Sequence, residues 1–112
     1  MKTLIEYSKL IKDNLENPHN LSKIHLEISA DYGYLSSILI PLKEKKPQVW
    51  INIKFSDGEN KVSDKLADMK YLITDDGKLE NGVEIKMKAL EKMMASIKNN
   101  MYVLNQESKN QY

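Results

Sequence analysis

His19 and His25 are the two histidines of the chain. Six positions apart, they cannot share one turn of a helix, and no His-Glu-x-x-His or similar metal spacing is present. His25 fits a half-buried core edge better than a ligand. Glu27 and Asp31 stand at i and i+4, so they share a helical face on which two carboxylates could hold a cation. A solvated acidic face is the plainer reading. Asp57-x-Glu59 and Asp75-Asp76-Gly77 lack the spaced oxygen ligands of a calcium loop. With no cysteine there is no thiolate nucleophile, no disulfide and no zinc finger. No glycine-rich phosphate cradle, Ser-x-x-Lys pair or Ser/His/Asp set is present either. No enzyme, metal, cofactor or small-molecule substrate is therefore expected.

Lysine beside aromatic and amide side chains is the one pattern with chemistry in it. Lys43, Lys45 and Lys46, followed by Gln48, Trp50 and Lys54, gather ammonium groups around the single tryptophan. Later, Lys88, Lys92, Ser96, Asn99 and Tyr102 run along faces of one helical stretch, with Lys98 just before Asn99-Asn100. Such a mixture suits a single nucleic-acid strand, whose phosphates meet ammonium groups and whose bases stack on rings. The plainer alternative is a solvated helix face with Trp50 in the core. All 17 basic residues are lysine and the net charge is +1. Arginine's bidentate reading of guanine is thus unavailable to this chain, and no overall field draws it to polyanions.

The element that would position the second lysine set is the stretch from 82 to 108. Val83, Met87, Leu90, Met94, Ile97, Met101 and Leu104 alternate steps of four and three, the a/d seam of a helix that packs on another. Asn81 with Glu84 reads as a capping box at its start, and the helix would be about 40 Å long. Its seven side chains contribute roughly 10–20 kcal/mol if buried, against a backbone ordering cost at least as large. The seam must therefore find a partner, in this chain or in a second copy.

Within the chain, 20–55 is the candidate. Leu21, Ile24, Ile28, Tyr32, Leu35, Leu39 and Leu42 keep helical spacing, with Asn20 as cap and Ile38 widening the face. Pro41 and Pro47 interrupt it, yet Val49 and Ile53 resume the register, which predicts a kinked helix. A strand is the rival, because Val49, Ile51, Ile53 and Phe55 also alternate with polar neighbours up to the Asp57-Gly58 turn. A short helix over 3–16, with a Thr3/Glu6 capping box and Leu4, Tyr7, Ile11 and Leu15 inward, ends at Asn17-Pro18. Ser63 caps another through Thr74, with Leu66, Met69, Leu72 and Ile73 inward and Gly77 as the stop. Asn110-Gln111-Tyr112 should fray.

The expected fold is mainly α, a single helical domain over 1–112. It comprises a short helix within 1–17, a long kinked helix over 20–55, a short helix over 62–74 and a terminal helix over 82–108, the long pair forming an antiparallel hairpin. An α+β arrangement with a small hairpin around 49–55 is the alternative. Pro41 and Pro47 leave the terminal helix only about 22 residues of uninterrupted partner, set as 83–90 against 42–55 and 94–104 against 28–39. Met87, Met93, Met94 and Met101 suit core or oligomer packing, or an adaptable protein-binding face. A homo-oligomer, at least a dimer, is expected. The acid-containing start is no signal peptide and no apolar run approaches a membrane span, so a cytoplasmic protein is expected.

Tyr34-Leu35-Ser36-Ser37, Leu90-Glu91-Lys92-Met93-Met94-Ala95-Ser96-Ile97-Lys98 and Asn105-Gln106-Glu107-Ser108-Lys109-Asn110-Gln111 resemble small helical-hairpin proteins of bacteriophages. Among these the chain is similar to the UvsY-type recombination mediators of T-even phages. That resemblance implies an all-helical, ring-forming protein that binds single-stranded DNA and helps load a recombinase. It would place Lys92, Lys98 and Lys88 against DNA. The function expected is an oligomeric phage accessory protein of DNA metabolism. The alternative is a small phage-encoded inhibitor or adaptor that binds a host protein.

Overall fold

The computed structural model describes residues 1–56 and 62–110. Asp57-Gly58 and Glu59, with the turn expected there, and Gln111-Tyr112 lie outside the described residues, while Asn110, expected to fray with them, is the last residue of a helix. Four helices follow one another: α1 (Leu4–Asp13), α2 (Pro18–Lys54), α3 (Asp64–Leu72) and α4 (Asp75–Asn110). The fold is mainly α, a long antiparallel helical hairpin of α2 and α4 with two short accessory helices. No strand occurs among the described residues. The chain divides into two compact units, Met1–Tyr34 with Lys86–Tyr112, and Leu35–Ile85.

In the first unit, Thr3 caps α1 by accepting the Glu6 backbone N–H at 3.1 Å. Tyr7 is fully buried and its hydroxyl donates a hydrogen bond to Asp31 on α2. Burial first, then that carboxylate, hold the Tyr7 phenol well above its ordinary range. Glu27 accepts from Lys2. The acidic pair at 27 and 31 is therefore engaged by Lys2 and by Tyr7 of α1. α2 starts earlier than expected. Asn17, not Asn20, is the cap, its side-chain oxygen receiving the Asn20 N–H at 3.1 Å. Pro18 occupies the first helical position, where its missing donor costs nothing. Leu15 lies beyond the end of α1 and is exposed.

α4 runs antiparallel to α2. The Ser29 hydroxyl meets the Met94 sulfur at 3.4 Å and the Tyr32 hydroxyl donates to Glu91 at 2.6 Å, so three steps forward on α2 are three back on α4. Leu21, Ile24, Ile28, Leu90 and Ile97 fill the core of this unit. The expected register of 94–104 against 28–39 is thus displaced, with 94 opposite 29.

The displacement arises in the second unit, where α4 begins at Asp75 instead of 82. Thr74 caps it, accepting the Gly77 N–H on its hydroxyl at 3.0 Å, and Asp75 and Asp76 complement the helix dipole. Neither the Asn81 capping box nor the Gly77 stop exists. Gly77 is there because the chain turns back on itself. An added Cβ would meet the Tyr71 carbonyl oxygen at 2.0 Å, a carbonyl already held by the Thr74 N–H at 3.0 Å and hydroxyl at 2.6 Å.

α2 passes both prolines without ending and is 37 residues long against 36 for α4. The length mismatch expected from Pro41 and Pro47 does not arise. Both proline rings are exposed, while Leu35 and Leu42 are buried and Val49 and Ile53 half-buried on the inner face. Helix over 49–54 replaces the strand alternative.

α3 is turned about its axis relative to expectation. Ala67 and Tyr71 are its buried residues. Leu66, Met69, Leu72 and Ile73, expected inward, are exposed. In that orientation Asp64 and Asp68 take Lys54 and the Trp50 indole as partners.

Candidate nucleic-acid interface

The eight residues singled out for nucleic acid fall into two groups with opposite surroundings. Lys43, Lys45, Lys46, Trp50 and Lys54 all belong to the second unit. Each faces a carboxylate of its own chain. Lys43 reaches Glu80 at 2.7 Å and Glu84 at 2.6 Å, Lys45 reaches Asp76 at 3.2 Å, and Lys46 reaches Glu80 at 3.6 Å. Lys46 also sits 4.9 Å over the Tyr71 ring. The Trp50 indole N–H donates to Asp68 at 2.7 Å, and Lys54, paired with Asp64, lies 5.1 Å over the Trp50 ring.

Glu80 is the anchor of this set and is only 4% exposed. Burial alone would raise its pKa. The Lys43 hydrogen bond, the Tyr71 hydroxyl and the charge of Lys46 outweigh that, so its carboxyl is held below its ordinary range. Lys43 is correspondingly raised by its bonds to Glu80 and Glu84. Burial first, then the Glu80 carboxylate beside it, push the Tyr71 phenol up to about 12. A phosphate would have to displace carboxylates already in place, at a cost in exposed ion pairs that is small and in the buried Glu80 contact that is not. Sequence reasoning missed Glu80. The signal was Asp76, Glu80 and Glu84, spaced four apart on one face of α4 opposite three lysines.

Lys88, Lys92 and Lys98 belong to the first unit and are exposed on α4. Among the described residues no carboxylate forms an ion pair with them. Lys92 edges a groove of about 400 Å³ with Ser8, Ile11, Ala89, Met93 and Ser96. Lys98 edges a larger one, about 550 Å³, with Pro18, Met101, Tyr102, Asn105 and Ser108. Lys98 and Tyr102 are one turn apart, and the Tyr102 ring is 65% exposed. An ammonium, an open aromatic face, an amide and a hydroxyl thus border one apolar slot. Neither Pro18 nor Ser108 was expected there, since Pro18 comes from the start of α2, remote in sequence.

The seam behind these lysines faces inward. Val83, Met87, Leu90 and Ile97 are buried, and Met94, Met101 and Leu104 are half-buried. Among the described residues no group of His, Asp or Glu side chains could hold a metal, and no helix is long and apolar enough to cross a membrane. Compared with protein families, with curated proteins and with solved structures, the chain matches none.

Proposed function

We propose that the protein is a non-catalytic accessory factor of DNA metabolism that binds single strands weakly along α4. The observation that carries this reading is the Lys98–Tyr102 slot: a lysine without a carboxylate partner among the described residues, one turn from an exposed ring, over a groove of about 550 Å³. Lys92 and Lys88, one turn apart on a neighbouring side of the same helix, add ammonium groups without an ion-pair partner among the described residues. Phosphates take the lysines, a base stacks on Tyr102, and Asn105 and Ser108 offer sequence-tolerant hydrogen bonds. Fluorescence anisotropy with labelled oligo-dT at low salt tests it. Tyr102→Ala should weaken binding at least about fivefold, since stacking contributes about 1–3 kcal/mol per base. Equal binding by wild type and Tyr102→Ala would remove the slot from the account.

Self-association belongs to the same reading. Met94, Met101 and Leu104 are only half-covered within the chain, which supports a homo-oligomer joined through the far end of α4. Met94 packs on Ser29, so a charge there would disturb the chain's own core; Leu104→Glu, near the end of the same seam, is the cleaner probe. Light scattering after size exclusion should show a species larger than 13.0 kDa for wild type and a smaller, still helical one for Leu104→Glu. A wild-type monomer at every concentration would defeat it.

A further inference from the structure

α3 has two apolar sides and uses one. Ala67 and Tyr71 are buried against the chain, while Asp64 and Asp68 turn toward Lys54 and Trp50. On the opposite side Leu66, Met69 and Ile73 follow at steps of three and four, and Met69 and Ile73 are 56% and 71% exposed. Those steps are an a/d seam with Leu66 at a, Met69 at d and Ile73 at the next a. Lys65 then falls at g and Lys70 at e, one on each edge of the apolar stripe, with the exposed Leu72 at the next g. Among the described residues neither lysine forms an ion pair. The face is the exposed half of a short coiled-coil contact with basic edges.

We infer that this face docks an amphipathic helix of a partner protein whose apolar seam is flanked by Glu or Asp. Charge decides the occupant. In a coiled-coil contact the e and g residues face those of the other helix and set partner choice. A second copy of α3 would bring lysine against lysine in either orientation, and like charges at such positions are repelled. A nucleic-acid strand would find lysines there but no ring to stack on. A bilayer would find a stripe of one residue's width without an aromatic anchor. A helix with carboxylate edges fits both the seam and its rim.

The test uses the full chain and a labelled synthetic helix with leucines at a and d and glutamates at e and g. Two controls accompany it, a scrambled peptide and one with lysines at e and g. Anisotropy should show saturable binding of the acidic peptide, at least tenfold tighter than of either control. Met69→Glu with Ile73→Glu should abolish it with the helical circular dichroism unchanged, whereas Leu79→Glu, an exposed leucine of α4, should leave it intact. Lys65→Glu with Lys70→Glu should transfer the preference to the lysine-edged peptide. Any of three results overturns the inference. One is equal binding of all three peptides, or of none. Another is self-association lost in Met69→Glu. The third is co-sedimentation with phosphatidylglycerol vesicles lost in the same variant. Oligo-dT binding along α4 is expected to be unaffected by the α3 variants, so this docking face and the single-strand reading fail separately.

Discussion

Gly77→Ala is expected to lower stability by roughly 3 kcal/mol or more, the scale of a backbone clash that neighbouring side chains cannot relieve. The new methyl carbon would stand 2.0 Å from the Tyr71 carbonyl oxygen and 2.8 Å from its carbon. That oxygen is fixed by the Thr74 N–H and hydroxyl, so it cannot swing away without breaking the cap of α4. Gly82 is the internal control. It sits in the same helix with nothing within 4 Å of its added Cβ, and Gly82→Ala should stabilise by about 0.5–1 kcal/mol through helix propensity alone. Thermal unfolding followed at 222 nm should therefore move in opposite directions for two chemically identical substitutions five residues apart. A loss of similar size at both positions would mean that the α3–α4 junction is not packed as described.

Glu80→Ala is expected to cost about 2–4 kcal/mol. It removes the buried carboxylate that faces the Lys43 and Lys46 ammonium groups; losing a hydrogen bond to a charged group costs about 1.5–3 kcal/mol, and the space emptied beside Tyr71 adds to that. Glu84→Ala removes the other partner of Lys43, but its side chain is 35% exposed against 5% for Glu80, so its cost should stay within about 1 kcal/mol. The sign of the pH dependence follows from the depressed carboxyl of Glu80. Its contribution is complete above the unfolded carboxylate's pKa, ordinarily 4.5, and is lost as pH falls through the lower folded value. Urea unfolding at pH 7 and at pH 3 should accordingly show the gap between wild type and Glu80→Ala narrowing in acid. A gap that is constant or wider at pH 3 would contradict the assignment of Glu80 as the ionised anchor.

Much of the hairpin was legible because periodicity survives local interruptions. Val49 and Ile53 keep the register of Leu35 and Leu42 across two prolines, and the helix follows the register, since burial on the inner face outweighs the local cost of exposed prolines. The start of α4 was not legible for the converse reason. Gly77 looks like a helix stop, and only the folded chain shows that it accommodates the Tyr71 carbonyl. Thr74 with Asp75 and Asp76 was the competing signal, a cap with an acidic first turn. On α3 the assumption that apolar means inward failed because the helix carries apolar residues on opposite sides. The buried side is the one that carries Ala67 and Tyr71, and it leaves Asp64 and Asp68 to meet Lys54 and Trp50. The lysine–tryptophan cluster was seen as a group, but its carboxylate partners lie 10–41 positions away along the chain. No local reading connects them.

That division of the lysines is the centre of the account, and the salt dependence of single-strand binding measures it directly. Each phosphate neutralised on a single strand contributes about −0.7 to the slope of log Kobs against log salt. If Lys88, Lys92 and Lys98 carry the binding while Lys43, Lys45, Lys46 and Lys54 remain with their own carboxylates, the slope per chain bound should be about −2. Lys98→Ala should make it shallower by about 0.7 and Lys43→Ala should leave it unchanged. A slope near −5, as all seven lysines would give, or no binding even at low salt, would contradict it.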